Sequence, residues 1–425
     1  MKTKKLSHPA RQVATRTQQE RCCAVAKNLL RHLGLKPELI DVFSKKQKQF
    51  LFGIIFDYPV IRAEKEKSIP RHFLDNIRRQ LIEYMKVRYF DDPADTITYI
   101  DLATCGMGFI MAFWDYESKF QWVAATPAQL EAARQIKEKI GDIEAYYHEK
   151  GFARVFSMLY YLTRCYSQVN FRNYGFKYTW EASGIAAMRM KIELTSQDCV
   201  TKMFTHNGVK RRAFRLPFTD NSVYEPGWAT VRRKRIFPRA KENEVLNIYI
   251  QSHVLHRYKE RVDIFEATDR NFFLQSSLTL RQKVVVSDRQ TFLECSVDSC
   301  PIGYFTFFVS GDDIVLKTFI PLLGEGTPES RKLHEMLPLE KDDIKYLGMD
   351  KLSFFADIDF EQIPSLKQAL IDSGIWKVKE MIDGAFVKAY SIDMNKTMFV
   401  KKYFDKIMES FPQMPESELE SESLF

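Results

Sequence analysis

Residues 251–265, QSHVLHRYKERVDIF, decide how the chain is read. On a helix at about 100° per residue, Val254, Leu255, Tyr258, Val262 and Phe265 fall on one side, the side that packs. His253, Arg257 and Arg261 follow each other at i, i+4 and i+8 and form a stripe beside that apolar face. Glu260 lies next to His253 on its other side. A stripe at the border is neither fully buried nor fully solvated, so it can present charge to a cleft. Arg257 and Arg261 are like charges four residues apart, which costs an isolated helix roughly 0.2–0.5 kcal/mol. An anion held between them offsets that cost. The plain alternative is an ion-pair network of Arg257 and Arg261 with Glu260, Asp263 or Glu266, with His253 capping the helix start. Structural networks of this kind imitate sites.

The surrounding residues, 246–323, read as one coherent unit. Leu246 to Ile250 (LNIYI) is a short strand before the helix, and a second helix lies around Phe272 to Leu280. Lys283 to Val286 and Thr291 to Val297 form a hairpin-like pair. Tyr304 to Val309 is the next strand, Ser310 to Asp313 (SGDD) a tight turn, and Ile314 to Ile320 the last strand. The order is helix, helix, antiparallel meander.

Upstream, 171–245 is a basic, β-rich segment of short strand-like pieces punctuated by Gly and Pro. Lys210, Arg211, Arg212, Arg232, Arg233, Lys234 and Arg235 stand out, and between 209 and 241 only Asp220 and Glu225 oppose the basic residues. Phe214, Phe218, Tyr224, Trp228 and Phe237 are interleaved. Lys and Arg neutralise phosphates and rings stack bases, so this composition suits a nucleic-acid surface. A solvated strand face is the equal alternative. Asn207-Gly208 reads as a hairpin turn.

Residues 1–170 read as a mostly helical domain. One helix runs from Ala10 to Leu33 and closes at Gly34. Another opens at Pro37 and reaches about Ile55. A third follows Pro70 with Phe73, Ile77, Leu81 and Met85 on one face. Ile97 to Trp114 is β-branched at its start and reads as one or two strands. Thr126-Pro127 opens a helix that Gly141 interrupts. Ile143 to Tyr166 is then amphipathic, with Tyr146, Tyr147, Phe152, Phe156, Tyr160 and Tyr161 read as a packing stripe. Residues 324–410 form a helical, partly mixed C-terminal extension, including a helix from Pro364 to Ser373. Residues 411–425 carry Glu416, Glu418, Glu420 and Glu422 without basic partners and read as a disordered acidic tail.

Composition narrows the class. In 425 residues, 63 Lys and Arg against 55 Asp and Glu leave a net charge of +8, which permits a nucleic-acid partner without requiring one. The seven Cys are odd in number and make no C-x2-C pair, so neither a disulfide framework nor a zinc site is expected. His253 and His256 have no carboxylate at the spacing of a metal motif, and GDD at 311–313 reads as a hairpin turn. No metal or cofactor is expected. The start, MKTKKLSHPARQ, has no apolar run behind it, and the longest apolar runs are too short to span a bilayer. A cytoplasmic protein without a membrane partner is the expectation.

The string H-V-L-H-R-Y-K-E-R, followed by a short antiparallel sheet whose last strand carries VLKT, resembles the barnase–EndoU–colicin–RelE superfamily of ribonuclease and toxin domains. It is most similar to subfamilies opening with an H-A-L-x-R-x-x-x-R helix. The resemblance covers about 75 residues of the 425. It implies a site between the helix and the sheet, with His253, Arg257 and Arg261 matching the family helix, and Lys317 and Thr318 on the final strand. Metal-free RNA cleavage needs a base for the 2′-OH proton, an acid for the leaving oxygen and cations for the phosphorane charge. The resemblance makes His253 base or acid, gives the phosphate to Arg257, Arg261 and Lys317, and lets Glu260 orient. No second acid or base is visible.

The expectation is therefore α+β: a helical N-terminal domain, a basic β-rich segment, a small ribonuclease-toxin-like domain and a helical extension. Three functions stay open. The first is a metal-independent endoribonuclease of toxin type, with RNA favoured over DNA. The second is a non-catalytic nucleic-acid-binding protein of a mobile element or defence system. The third is a structural or partner-binding protein. Protein partners are not readable from the sequence.

Overall fold

The computed structural model describes residues 8–52, 55–64, 69–87, 97–114, 125–150, 152–182, 187–219, 224–287, 290–386 and 392–410. The acidic tail expected at 411–425 lies outside them. The chain is α+β. It divides into two units, one of Met1–Thr163, Tyr174–Ser196 and Asp220–Pro226, the other of Arg164–Asn173, Gln197–Thr219 and Gly227–Phe425. The basic segment 171–245 is thus shared between the units.

In the first unit the helix Arg71–Met85 buries Phe73, Ile77, Leu81 and Met85, one residue per turn. The strands β1 (Ile55–Ala63), β2 (Arg172–Ala182) and β3 (Ala187–Asp198) form a sheet in the order β1-β3-β2, with β1 parallel to β3. At eleven and twelve residues, β2 and β3 are long strands rather than short pieces. Phe156 stacks with Tyr224, and Tyr224 with Phe176 at 4.7 Å, so that part of the aromatic stripe packs. The side chains of Tyr146, Tyr147 and Phe152 lie outside the described residues.

Three local expectations are corrected. Residues 97–114 are helical, not extended. Thr98 and Asp101 cap each other reciprocally and start a run of helix, π turn and helix from Tyr99 to Trp114. The β-branched Ile97-Thr98 pair is the lead-in to that cap. The helix expected from Pro37 is a 3-10 turn, Pro37–Ile40, and a separate helix, Lys45–Leu51, starts at its own Ser44–Gln47 capping box. Gly141 does not break its helix, which runs from Pro127 to Lys150. One Gly in 24 residues costs about 1 kcal/mol, which a long helix tolerates. Residues 387–391 lie outside the described residues, and the helix Met394–Ser410 comes after them.

The second unit is built on β4 (Thr201–His206), β5 (Val209–Arg215), β6 (Pro217–Thr219), β7 (Pro226–Trp228), β8 (Thr230–Arg232), β9 (Val245–Gln251), β10 (Val284–Ser287), β11 (Gln290–Val297), β12 (Cys300–Ser310) and β13 (Asp313–Pro321). Eight of these strands make one sheet, in the order β10-β11-β12-β13-β9-β5-β4, with β8 also on β9. The meander β10 to β13 is antiparallel, as expected from its hairpin-like segments and the tight SGDD turn. The sheet as a whole is mixed, because β13 joins β9 in parallel, Asp313 opposite Asn247 through Leu316 opposite Ile250.

One face of this sheet carries the main core. Ile248, Ile250, Phe305, Ile314 and Leu316 lie under Val254, Tyr258 and Val262 of the helix Ser252–Arg261 and Leu274 and Leu278 of the helix Ala267–Thr279. The other face holds a smaller core of Phe204, Ala213, Tyr249 and Val315 with Phe308. Phe204 on β4 meets Phe308 on β12 at 6.4 Å, although three strands separate them in the sheet. The sheet therefore curls over its second face. Lys202 donates to the buried Asp313 at 2.5 Å across the curl.

Candidate functional site

β9 ends at Gln251, and the chain passes directly into the helix Ser252–Arg261 with Gln251 as its N-cap. His253 therefore stands in the first turn of that helix, at the C-terminal end of β9. β13 runs parallel to β9 with Leu316 opposite Ile250, so Lys317 and Thr318 arrive at the same end. β5 runs antiparallel, with Ala213 opposite Gln251, so Arg212 and Arg211 extend past the end of β9. Asn207 (φ 50°) and Gly208 (φ 76°) turn β4 into β5 and set His206 opposite Val209. Two consecutive positive φ values define a tight hairpin turn, which Asn-Gly adopts readily.

These elements enclose a cavity of about 370 Å³ lined by His206, Asn207, Val209, Arg211, Gln251, His253, Lys317 and Thr318. Consecutive strand residues ordinarily face opposite sides. Lys317 and Thr318 both reach the cavity because β13 bulges there. β12 advances one residue, Thr306 to Phe307, where β13 passes from Thr318 to Leu316. Lys317 is the extra residue, and bulges re-aim side chains in this way.

Among the described residues lining this cavity there is no carboxylate. Its polar wall is two imidazoles, a guanidinium, an ammonium, a hydroxyl and two amides. Partial burial, reinforced by the charges of Arg257, Arg211 and His256, holds the His253 imidazole below its ordinary value of 6.5, with Glu260 opposing. A neutral imidazole among cations is a proton acceptor beside an anion-binding surface. The first-turn N–H groups of the helix add to the positive potential.

The rest of the stripe is engaged differently. Arg257 donates to Glu260 at 2.9 Å. Burial pushes the Glu260 carboxyl up, but the Arg257 hydrogen bond and the Arg261 and Arg257 charges outweigh it, and the net shift is downward. The Arg261 side chain is 12% exposed, forms an ion pair with the buried Asp350 and lies 3.7 Å from Glu260. Arg257 and Arg261 line a second cavity of about 860 Å³, and Thr318 lines both.

The basic clusters also separate. Arg232 pairs with Val245 at the start of β9, about 20 Å along the strand from Gln251. Arg232 and Lys234 pair with Glu242, and Arg233 with Glu244 and Asp312. Arg235 donates to the Gln282 carbonyl at 2.5 Å. Lys210, Arg211 and Arg212, by contrast, stand exposed at the His253 end, and among the described residues none makes an ion pair. Asp220 lies outside the described residues.

The sequence pattern gives no site role to His206, Asn207 or Gln251. Its one signal is the His immediately before Asn-Gly, since a two-residue turn returns the chain toward Arg211. Gly311 (φ 62°) turns the GDD hairpin, and Asp313 is bound by Lys202 and Asn247. No group of three or more His, Cys, Asp or Glu among the described residues is placed to hold a metal ion. None of the seven cysteines forms a disulfide. Among the described residues no helix is long and apolar enough to cross a membrane. No protein-family model, curated protein or solved structure matches the chain.

Proposed function

We propose that the chain is an RNA-directed, metal-independent endoribonuclease whose centre is the His206–His253 cavity. One observation carries the reading: two imidazoles and two cations line a single cavity, to which none of the described residues brings a carboxylate. The ribonuclease-toxin resemblance of 246–323 belongs to the same proposal.

In this mechanism His253, held neutral by its surroundings, accepts the proton of a ribose 2′-OH. The 2′ oxygen attacks the adjacent phosphorus and forms the O2′–P bond. Arg211 and Lys317 hold the charge that grows on the phosphoryl oxygens, the role for which preorganised cations are most effective. His206 in its protonated form gives a proton to the 5′ oxygen as the P–O5′ bond breaks. The products are a 2′,3′-cyclic phosphate and a free 5′-OH. DNA lacks the attacking hydroxyl and is no substrate.

The test is incubation of labelled single-stranded RNA and DNA with the protein in EDTA, at low and physiological salt, beside His253→Ala and His206→Ala. RNA cleavage that each substitution abolishes supports the reading. Salt-sensitive binding without cleavage moves the function to a non-catalytic nucleic-acid-binding protein, which the unpaired Lys210, Arg211 and Arg212 favour as second reading. Neither binding nor cleavage rejects both.

A further inference from the structure

The second cavity has a different chemistry from the first. At about 860 Å³ it is within the size range of small-ligand sites. Its wall includes Leu323, Leu339 and Ile344, all buried. Its charges nearly balance: Arg261 is committed to Asp350, and Lys341 lies 3.2 Å from Glu325. Lys345 and His334 stand exposed at the wall, and Lys345 makes no ion pair among the described residues. A balanced, partly apolar cavity is a poor cradle for a phosphate. It suits a flat heterocycle with donors and acceptors on its edge.

The two cavities share one residue, Thr318, in their walls, and Arg257 of the second is one helical turn from His253 of the first. A nucleotide whose phosphate sits in the His253 cavity has the larger cavity as a neighbouring place for its base. We infer that the 860 Å³ cavity is a nucleobase pocket, and that the protein selects among RNA bases through it. This rests on the phosphate-binding role proposed for the His253 cavity and adds a specificity determinant to it. Lys345 and His334 read the base edge, and the Leu339–Ile344 wall packs its face. These residues lie on 328–346, beyond the part of the chain that bears the ribonuclease resemblance.

The experiment is a comparison of the four ribonucleoside 3′-monophosphates by calorimetry, with inorganic phosphate as competitor. The parent protein is expected to bind one base at least tenfold more tightly than the weakest. Lys345→Ala and His334→Ala, both at exposed positions, are expected to bring the four within about threefold of one another, a difference of less than 1 kcal/mol, while phosphate alone binds the variants as it binds the parent. Equal binding of all four by the parent, or selectivity that survives both substitutions, overturns the inference. Because the readout is binding, it is separate from the endoribonuclease reading, which fails only if RNA is not cleaved. Loss of phosphate binding in the parent rejects the shared premise.

Discussion

His206 and Phe308 stack ring on ring, with centroids 4.3 Å apart and planes 14° from parallel. Phe308 lies on β12 and His206 on β4, so the curl of the sheet is what fixes this imidazole at the cavity. Phe308→Leu keeps aliphatic bulk and removes the flat partner. It is expected to cost about 1 kcal/mol of stability and to slow RNA cleavage about tenfold through misplacement of His206. His206→Ala removes the proton donor of the proposed mechanism, and a loss of about 10²–10⁴ in kcat is expected. Urea melts and single-turnover rates check both. If Phe308→Leu cleaves at the parental rate, the stack does not position the imidazole.

Under the proposed mechanism, the acidic limb of the pH profile is expected to report His253. Partial burial and the Arg257 and Arg211 charges hold its pKa below 6.5, so the neutral, proton-accepting form persists into mild acid. The rising limb of kcat/KM is expected to have its midpoint below 6.5. Arg211→Gln removes one of the depressing charges and moves the midpoint upward, toward 6.5. The effect on stability has a definite sign. The unfolded chain binds a proton at His253 more readily than the folded one, so this residue favours the fold fully above 6.5 and less as pH falls through its folded value. A midpoint above 6.5 in the parent would rule His253 out as the base.

Much of the second unit is legible in the sequence because its strands and helices obey simple patterns. Val254, Tyr258 and Val262 repeat at helical spacing and are buried, and the near-continuous apolar runs in β12 and β13 match two faces that both bury side chains. The rest depends on contacts distant in sequence. Nothing local says that β4 and β5 join the sheet beside β9, and without that pairing His206 and Arg211 have no relation to His253. The bulge at Lys317 is equally silent, since a strand with one extra residue has the same composition. The cluster Arg232–Arg235 misleads because its partners, Glu242 and Glu244, stand just beyond the stretch 209–241 in which the basic residues look unopposed.

That division of the basic residues predicts a division in salt dependence. Lys210 and Arg212 make no ion pair among the described residues and alternate with Arg211 along β5, so their substitution leaves the cavity wall intact. Each phosphate contact to single-stranded nucleic acid contributes about −0.7 to the slope of log K against log salt. Lys210→Ala and Arg212→Ala are each expected to flatten the slope by about that amount. Arg232→Ala and Lys234→Ala remove cations that share the single carboxylate of Glu242 at the far end of β9, and each is expected to flatten it less. Anisotropy titrations of a fluorescent RNA over a range of KCl make the comparison. Equal effects at the two clusters would contradict it.

The pair Arg261–Asp350 is expected to respond unequally to loss of either member, and the asymmetry separates its structural role from catalysis. Both side chains are nearly buried, at 12% and 10% exposure. Burial pushes the Asp350 carboxyl up further than Arg261 holds it down. When Arg261→Met removes the cation, Asp350 can take up a proton and become neutral. The folded state then holds that proton more tightly than the unfolded state, whose carboxyl titrates near 3.8. Stability of this variant therefore falls as pH rises above that value, and the deficit is larger at about pH 8 than at about pH 5. Asp350→Asn strands a guanidinium that cannot shed its proton. Glu260 at 3.7 Å is its remaining partner, so a loss of about 3 kcal/mol, at the lower end for a broken buried pair, is expected. That loss should hardly change across the same pH range. Urea denaturation of both variants at the two pH values tests the argument. If Asp350→Asn melts with the parent yet loses RNA cleavage, the ion pair acts in the reaction rather than in the fold.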